Sequence, residues 1–166
     1  MRKEIDIYEN FHETVKRLSN NGIFLLTGEE GNPMTIGWGT IGRVWGKPIF
    51  TVLVRPSRYS YGLLEKTGEF SVNIPGDELS DKLEYCGEHS GRDVDKVKRC
   101  KFTLKPGIKI KTPYIAECHV HYECRVVHKN KVIPDNMENS IIERYYPSDD
   151  YHTVYFGEIL GVYRET

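Results

Sequence analysis

The residues best suited to bind a small anion lie in one short segment, residues 86–96. Within it Ser90, Gly91 and Arg92 are consecutive, Lys96 follows four residues later, and Cys86 opens the segment. Glycine lets backbone N–H groups approach a ligand closely, and arginine and lysine supply the charge that a phosphate requires. The segment therefore predicts a site for a small phosphorylated ligand, although Ser-Gly-Arg also occurs in ordinary surface turns.

A second segment, residues 33–39, could hold a flat ring. It combines Met34, Thr35, Ile36 and Trp38 with two glycines on one predicted strand. Glycines within a strand often mark a bulge or a place where a ligand approaches the backbone. The alternative is a glycine-kinked core strand with a buried tryptophan.

A third segment, residues 55–61, could hold a further part of such a ligand. Two guanidinium groups, Arg55 and Arg58, and two hydroxyls, Ser57 and Ser60, surround a predicted helix start. Backbone N–H groups and the helix dipole favour anions at that position. The alternative is a surface helix capped by Ser57, with both arginines in solvent.

Strand-like segments dominate the elements that must position these residues. We predict strands at 23–27, 34–44, 48–54, 70–74, 101–104, 115–128 and 151–163. Helices are predicted at 8–19, at 57–66 with Gly68 as its end, from Asp77, from Asp93, and as a turn within 137–145. Because regular β-α-β alternation is missing, the pattern favours a mainly β fold, a β-barrel or curved antiparallel sheet decorated with helices, over a doubly wound sheet.

Length and composition limit the possible classes of protein. With 166 residues and no evident linker, we expect one domain covering residues 1–166. The net charge of −1, from 23 basic and 24 acidic residues, does not favour nucleic acid or a membrane surface as partner. No apolar run reaches the roughly 20 residues of a membrane span, and the N-terminus is charged, so we expect a cytoplasmic protein.

Cysteine spacing gives no support for a disulfide framework or a metal site. The four cysteines are Cys86, Cys100, Cys118 and Cys124, and no pair has CxxC spacing. His119 and His121 lie between the last two, but strand alternation would place both cysteines on one face and both histidines on the other. We therefore predict structural thiols and no bound metal.

Read together, these segments resemble the flavin reductase-like, FMN-binding split-barrel family, most closely its flavoredoxin-type branch. The shared motifs occur in order over nearly the whole chain: Met34-Thr35 with Trp38-Gly39, Arg55-Pro56-Ser57-Arg58-Tyr59, Phe70-Ser71-Val72-Asn73-Ile74-Pro75, Cys86-Gly87 with Ser90-Gly91-Arg92 and Asp95-Lys96, and Tyr155-Phe156-Gly157-Glu158-Ile159.

The resemblance implies a split β-barrel homodimer that binds FMN noncovalently near the subunit interface. It assigns three groups of cofactor-binding residues: Met34, Thr35, Ile36 and Trp38 along the isoalloxazine or ribityl chain; Arg55, Ser57, Tyr59, Ser60 and Asn73 along the flavin edge; and Cys86, Ser90, Gly91, Arg92 and Lys96 at the phosphate and its approaches.

The family implies an oxidoreductase in which FMN performs the redox chemistry and hydride comes from NAD(P)H. The chain has no GxGxxG motif, so a nicotinamide nucleotide would bind transiently over the flavin, and no catalytic acid is required. The alternative is a noncatalytic FMN electron-transfer protein that serves a redox protein partner. A metal or haem protein built on Cys118 and Cys124 is a third, weaker alternative.

The sequence leaves more than one role open for several side chains. The Cys86 thiol could have a redox function or simply pack a helix, and His89 could face the ligand or solvent. His152 could approach a nicotinamide or a partner subunit. Four tyrosines in the segment 141–155 could cover a neighbouring subunit's flavin: Tyr145, Tyr146, Tyr151 and Tyr155.

Overall fold

The computed structural model describes residues 1–166 and is built around one eight-stranded antiparallel sheet. The strands are β1 (Arg2–Ile5), β2 (Ile23–Thr27), β3 (Asn32–Ile36), β4 (Gly39–Val44), β5 (Lys47–Val54), β6 (Glu69–Ile74), β7 (Leu104–Lys105), β8 (Tyr114–Ile115), β9 (Val120–Lys131) and β10 (Thr153–Glu165). The helices are α1 (Phe11–Ser19), α2 (Tyr59–Thr67), α3 (Ser80–Glu88), α4 (Lys96–Cys100) and α5 (Asn139–Tyr145), and short 3₁₀ turns occupy Asp77–Leu79 and Pro134–Asn136.

The strand order shows why the sheet curls into a split barrel. The order is β3-β2-β6-β9-β10-β5-β4, so β3 and β4 are the two end strands. Only Gly37 and Trp38 separate β3 from β4 in the chain, which requires the two ends of the sheet to approach each other. No hydrogen-bond ladder joins them. The barrel is therefore split beside Trp38.

Strand β10 holds the barrel together because it pairs on both edges. Its first half pairs with β5 and its last residues pair with β1, while β9 follows its other edge. The β9 register shifts at Phe156/Gly157 and at Ile159/Gly161, and such bulges increase local twist. At Gly157 a Cβ would collide with the ring of Phe70, so glycine allows the buried ring to approach the backbone.

Two hydrophobic clusters fill the molecule. The larger one lies inside the barrel and includes Phe50, Phe70 and Tyr122, all fully buried. The smaller one lies between the barrel and helices α3 and α4, and includes Cys86 and Cys100. The second cluster anchors the segment between α3 and α4, which contains the predicted phosphate-binding residues.

The predicted mainly β fold is confirmed, and β2 coincides with its predicted bounds. Helix α2 ends at Gly68, which has a left-handed φ of 64°. The prediction of a strand at 101–104 is wrong, because Lys101 caps α4 in a left-handed conformation and only the two-residue β7 follows. Strand β1 was not predicted, since its four residues, three of them charged, show no clear alternation of apolar and polar side chains.

Two local predictions also need correction. Ser57 does not cap α2; Arg58 occupies the N-cap position without a side-chain cap, and the Ser57 hydroxyl donates to the Asp150 carboxylate. Cys118 does not share a face with Cys124, because β9 begins only at Val120. The Cys118 N–H closes a turn onto the Ile115 carbonyl, and its thiol packs in the second cluster.

Candidate functional site

The gap between the end strands opens into a small cavity of about 220 Å³. Strand β3 and the β3–β4 connection form one wall, the end of β5 and the segment after it form the second, and the residue just before β10 forms the third. Its lining residues are Met34, Thr35, Ile36, Gly37, Trp38, Leu53, Arg55, Arg58 and His152. The second and third predicted segments therefore meet in space here, through Arg55 and the residues of β3.

A larger groove of about 1010 Å³ is lined in part by chain neighbours of the cavity residues, Pro33 before Met34 and Tyr59 after Arg58. The β2–β3 turn, helix α2 and the segment between α3 and α4 line it, and among the lining residues are Tyr59, Gly91, Arg92 and Lys96. At Gly91 a Cβ would collide with the Tyr59 ring. Close packing of the 90–92 turn against α2 therefore depends on glycine.

Two hydrogen bonds join the segment 86–96 to the segments 33–39 and 55–61. The Lys96 ammonium donates to the Pro33 carbonyl at 2.8 Å, and Arg92 Nη1 donates to the Ser57 carbonyl at 2.9 Å. The Ser90 hydroxyl accepts from the Arg92 N–H at 3.2 Å, which shapes the turn that presents the guanidinium. The three segments singled out by sequence are thus in direct contact.

Lys96 is a buried cation with only neutral partners. It is the first residue of α4, whose N-cap Asp95 accepts from the Lys98 N–H at 3.0 Å. Its side chain is 4% exposed, and Nζ also donates to the Cys86 carbonyl at 3.0 Å. Burial lowers the pKa of Lys96 because the charged form loses its hydration.

Three arginines of the predicted segments, Arg55, Arg58 and Arg92, share this lack of negative partners. Arg55 donates to the carbonyls of Tyr145 and Asp150, both at 2.8 Å, and Arg92 donates to a carbonyl as well. None of Arg55, Arg58, Arg92 and Lys96 forms an ion pair. The four cations are suited to a bound anion, because charge-assisted hydrogen bonds form without first breaking an ion pair.

Aromatic side chains cluster at the Trp38 side of the small cavity. The Trp38 ring meets Tyr145 edge-on, with 4.9 Å between centroids, and His152 lies 5.3 Å from it. Tyr146 Oη and His152 Nδ1 are 2.6 Å apart. Burial, with a smaller effect from the Arg55 charge, lowers the pKa of His152 to about 4, so the imidazole is neutral at pH 7.

Not every predicted cofactor contact points toward this surface. The Asn73 amide donates to Ser71 and accepts from the Ile115 N–H, which ties β6 to β8 on the outer face of the barrel. Asn73 lines neither concavity, because the inward positions of β6 are taken by the alternate residues of the core. Its placement beside a flavin stays a prediction.

Other predicted residues contribute backbone or structure rather than a free side chain. The Cys86 thiol, 1% exposed, faces the second cluster while its carbonyl holds Lys96. The Ser60 hydroxyl is buried and accepts from the Asn32 amide at 3.0 Å. The Thr35 hydroxyl donates to the Leu83 carbonyl at 2.5 Å, which joins β3 to α3.

Four residues that line the small cavity were not among the predicted cofactor contacts: Gly37, Leu53, Arg58 and His152. Leu53 could have been inferred from alternation along β5, whose neighbours Val52 and Val54 are core residues.

No group of three or more His, Cys, Asp or Glu side chains is placed to hold a metal ion, and all four cysteines are free. None of the helices is long and apolar enough to span a membrane.

Residues 16–166 match the family described as the flavin reductase like domain. The chain belongs to this family. The resemblance read from the sequence motifs is therefore confirmed, and the match covers strands β2 to β10, both clusters and the candidate site. The family carries flavin-related redox functions.

Related proteins agree with this assignment. An uncharacterized protein of Archaeoglobus fulgidus is 32% identical over 134 residues, which is 81% of this chain and 66% of the relative. Flavoredoxin from Methanosarcina acetivorans is 30% identical, with a TM-score of 0.69 over 87% of this chain and 68% of its own. An FMN-binding protein from Thermus thermophilus, crystallised with 1-cyclohex-2-enone, is 23% identical, with a TM-score of 0.67 over 87% and 70%, and shares the fold.

Proposed function

We propose that this flavin reductase-like domain binds FMN noncovalently and acts as an oxidoreductase that takes hydride from NAD(P)H. The observation that carries the proposal is the placement of four cations without ion pairs: Arg55 and Arg58 line the small cavity with its apolar wall, and Arg92 and Lys96 line the groove. The similarity to a flavoredoxin and to an FMN-binding protein supports the same cofactor.

The residues present fit the chemistry of FMN. Arg92 and Lys96 can donate charge-assisted hydrogen bonds to a phosphate, and Lys96 already has its ammonium oriented by two carbonyls. Met34 and Ile36, both less than a tenth exposed, offer an apolar surface to a flat ring, and Trp38 provides an aromatic edge. Anionic and aromatic halves of one ligand would thus each meet a matching surface.

When bound, FMN supplies the two-electron chemistry that amino-acid side chains lack. The chain's own residues bind it, orient it and limit the access of water. Trp38 and Tyr145 would shield one end of the ring, while the neutral His152 imidazole would offer a hydrogen bond without adding a positive charge. Arg55 would hold the 145–150 segment in place through its two carbonyl contacts.

We also propose that a second copy of the chain completes the site. The small cavity, at about 220 Å³, is below the roughly 300–1,000 Å³ of typical ligand pockets. Trp38 remains 43% exposed at its mouth, so one protomer leaves the aromatic wall open. Light scattering of the FMN-loaded protein should give the mass of a dimer, and a monomer that binds FMN fully would contradict this proposal.

Stopped-flow reduction of the FMN-loaded protein tests the enzymatic part. Anaerobic mixing with NADH or NADPH should bleach the flavin absorbance, and steady-state turnover should follow with free flavin or a quinone as acceptor. Absence of reduction by either nucleotide, together with rapid reduction by a ferredoxin-type donor, would instead favour a noncatalytic electron carrier.

A further inference from the structure

Two buried cysteines face each other directly beneath the segment that holds the cations. Cys86 lies near the end of α3 and Cys100 ends α4, and their sulfur atoms are 3.9 Å apart. Both side chains are nearly inaccessible, with exposures of 1% for Cys86 and 6% for Cys100. The other two cysteines, Cys118 and Cys124, do not form such a pair; Cys124 lies in the other cluster, inside the barrel.

We propose that Cys86 and Cys100 form a reversible dithiol/disulfide couple that closes the segment between them into a covalent ring. The ring encloses Ser90, Gly91, Arg92 and Lys96, four of the predicted phosphate-site residues. A disulfide requires the sulfur atoms to approach from 3.9 Å to about 2.0 Å, a movement that lies within the reach of side-chain rotation and a small shift of α4.

The oxidant in this proposal is hydrogen peroxide, and the atoms balance in two steps. Peroxide first converts the Cys100 thiol into a sulfenic acid and releases one water as its O–O bond breaks. The Cys86 sulfur then attacks the sulfenic sulfur, the S–O bond breaks, and the departing hydroxide takes the Cys86 proton as a second water. The two thiols lose two electrons and two protons, and one peroxide is reduced to two waters.

The environment assigns the order of these steps. Burial raises the pKa of the Cys86 thiol to about 12, with a smaller contribution from neighbouring Cys100, so Cys86 stays protonated and resists direct oxidation. Cys100 is the more exposed sulfur of the two. Cys86 therefore acts as the resolving partner. The nearby positive charge of Lys96 has a smaller, opposite effect on the pKa of the Cys86 thiol and favours negative charge on the attacking sulfur.

The ring links this chemistry to the ligand site. Lys96 donates to the carbonyl of Cys86 itself, so a bond between α3 and α4 restrains both ends of that contact. A closed ring has fewer open conformations available to it than a linear segment, which suppresses local opening of the 90–92 turn. Disulfide formation itself does not depend on the proposed function, but the expected effect on FMN dissociation does.

Thiol counting and peptide mapping of the purified, cofactor-loaded protein test disulfide formation. Limited peroxide should reduce the free thiols from four to two, and mapping without reductant should find one cross-link, between the peptides of Cys86 and Cys100. Dithiothreitol should restore four thiols. Cys118→Ala is the matched control and should still lose two thiols, whereas Cys86→Ala should form no cross-link. No cross-link in the wild type, or one that involves another cysteine, overturns the proposal.

Hydrogen exchange and FMN release test the effect on the segment. In the oxidised protein, amides of residues 87–99 should exchange at least three-fold more slowly, and FMN should dissociate at least three-fold more slowly. Cys86→Ala should show neither change after the same treatment. If the cross-link forms and FMN binds but both rates are unchanged, the link to the site is overturned. If FMN does not bind at all, the proposed function fails while mapping and exchange still decide the cysteine couple.

Discussion

Replacing Lys96 by methionine should weaken FMN binding far more than riboflavin binding. The two ligands differ by one phosphate, and Lys96 is a buried ammonium with only carbonyl partners. Methionine keeps an unbranched stem in the same space but removes the charge. A charge-assisted hydrogen bond contributes about 1.5–3 kcal/mol, so FMN affinity should fall roughly 10- to 150-fold while riboflavin affinity changes less than about three-fold.

Fluorescence titration with each flavin measures both affinities, and thermal denaturation of the apo variant separates folding from binding. Lys98→Met is the matched control, since Lys98 is an exposed lysine on the same helix and lines neither concavity. It should bind both flavins as the wild type does. Equal losses for FMN and riboflavin in Lys96→Met, or no loss for either, would refute the assignment of Lys96 to the phosphate.

Two further predictions concern backbone space and proton binding. Gly91→Ala should weaken FMN binding at least ten-fold, because the new Cβ would collide with the Tyr59 ring. Gly62→Ala is the control, since its Cβ would meet open space on α2. It should leave FMN binding unchanged and raise the free energy of unfolding, measured by urea denaturation, by about 0.5–1 kcal/mol. Burial lowers the pKa values of His121 and His152 to about 4, against 6.5 ordinarily, so the unfolded chain binds more protons between those values. The free energy of unfolding should therefore be fully retained above pH 6.5 and fall as the pH drops to about 4. In His121→Gln this fall should be smaller. An unchanged pH profile in the variant would contradict the lowered pKa of His121.

Local patterns were sufficient to predict most elements of the barrel. The β2 residues are a short apolar run between turn residues, and a run of that kind has few other structures available. The left-handed Gly68 ends α2 because glycine adopts positive φ without strain. Glycine also indicated where the strand predicted at 34–44 is interrupted, since Gly37 and Trp38 separate β3 from β4.

The sequence could not predict contacts that depend on the closed fold. Arg55 reaches the carbonyls of Tyr145 and Asp150, about 90 residues away, and nothing in its neighbours indicates such partners. Lys96 looks like an ordinary helix lysine until α3 and β3 bury it. Asn73 was assigned from motif order alone, whereas its side-chain direction depends on strand register, which places its amide against β8.

Equilibrium titration of the purified apoprotein with FMN, riboflavin and FAD, followed by absorbance, tests the central claim most directly. The account predicts one FMN bound per chain, with a perturbed flavin spectrum and an affinity well above that for riboflavin, because the cations at Arg92 and Lys96 recognise the phosphate. Failure to bind FMN, or equal affinity for FMN and riboflavin, would contradict it.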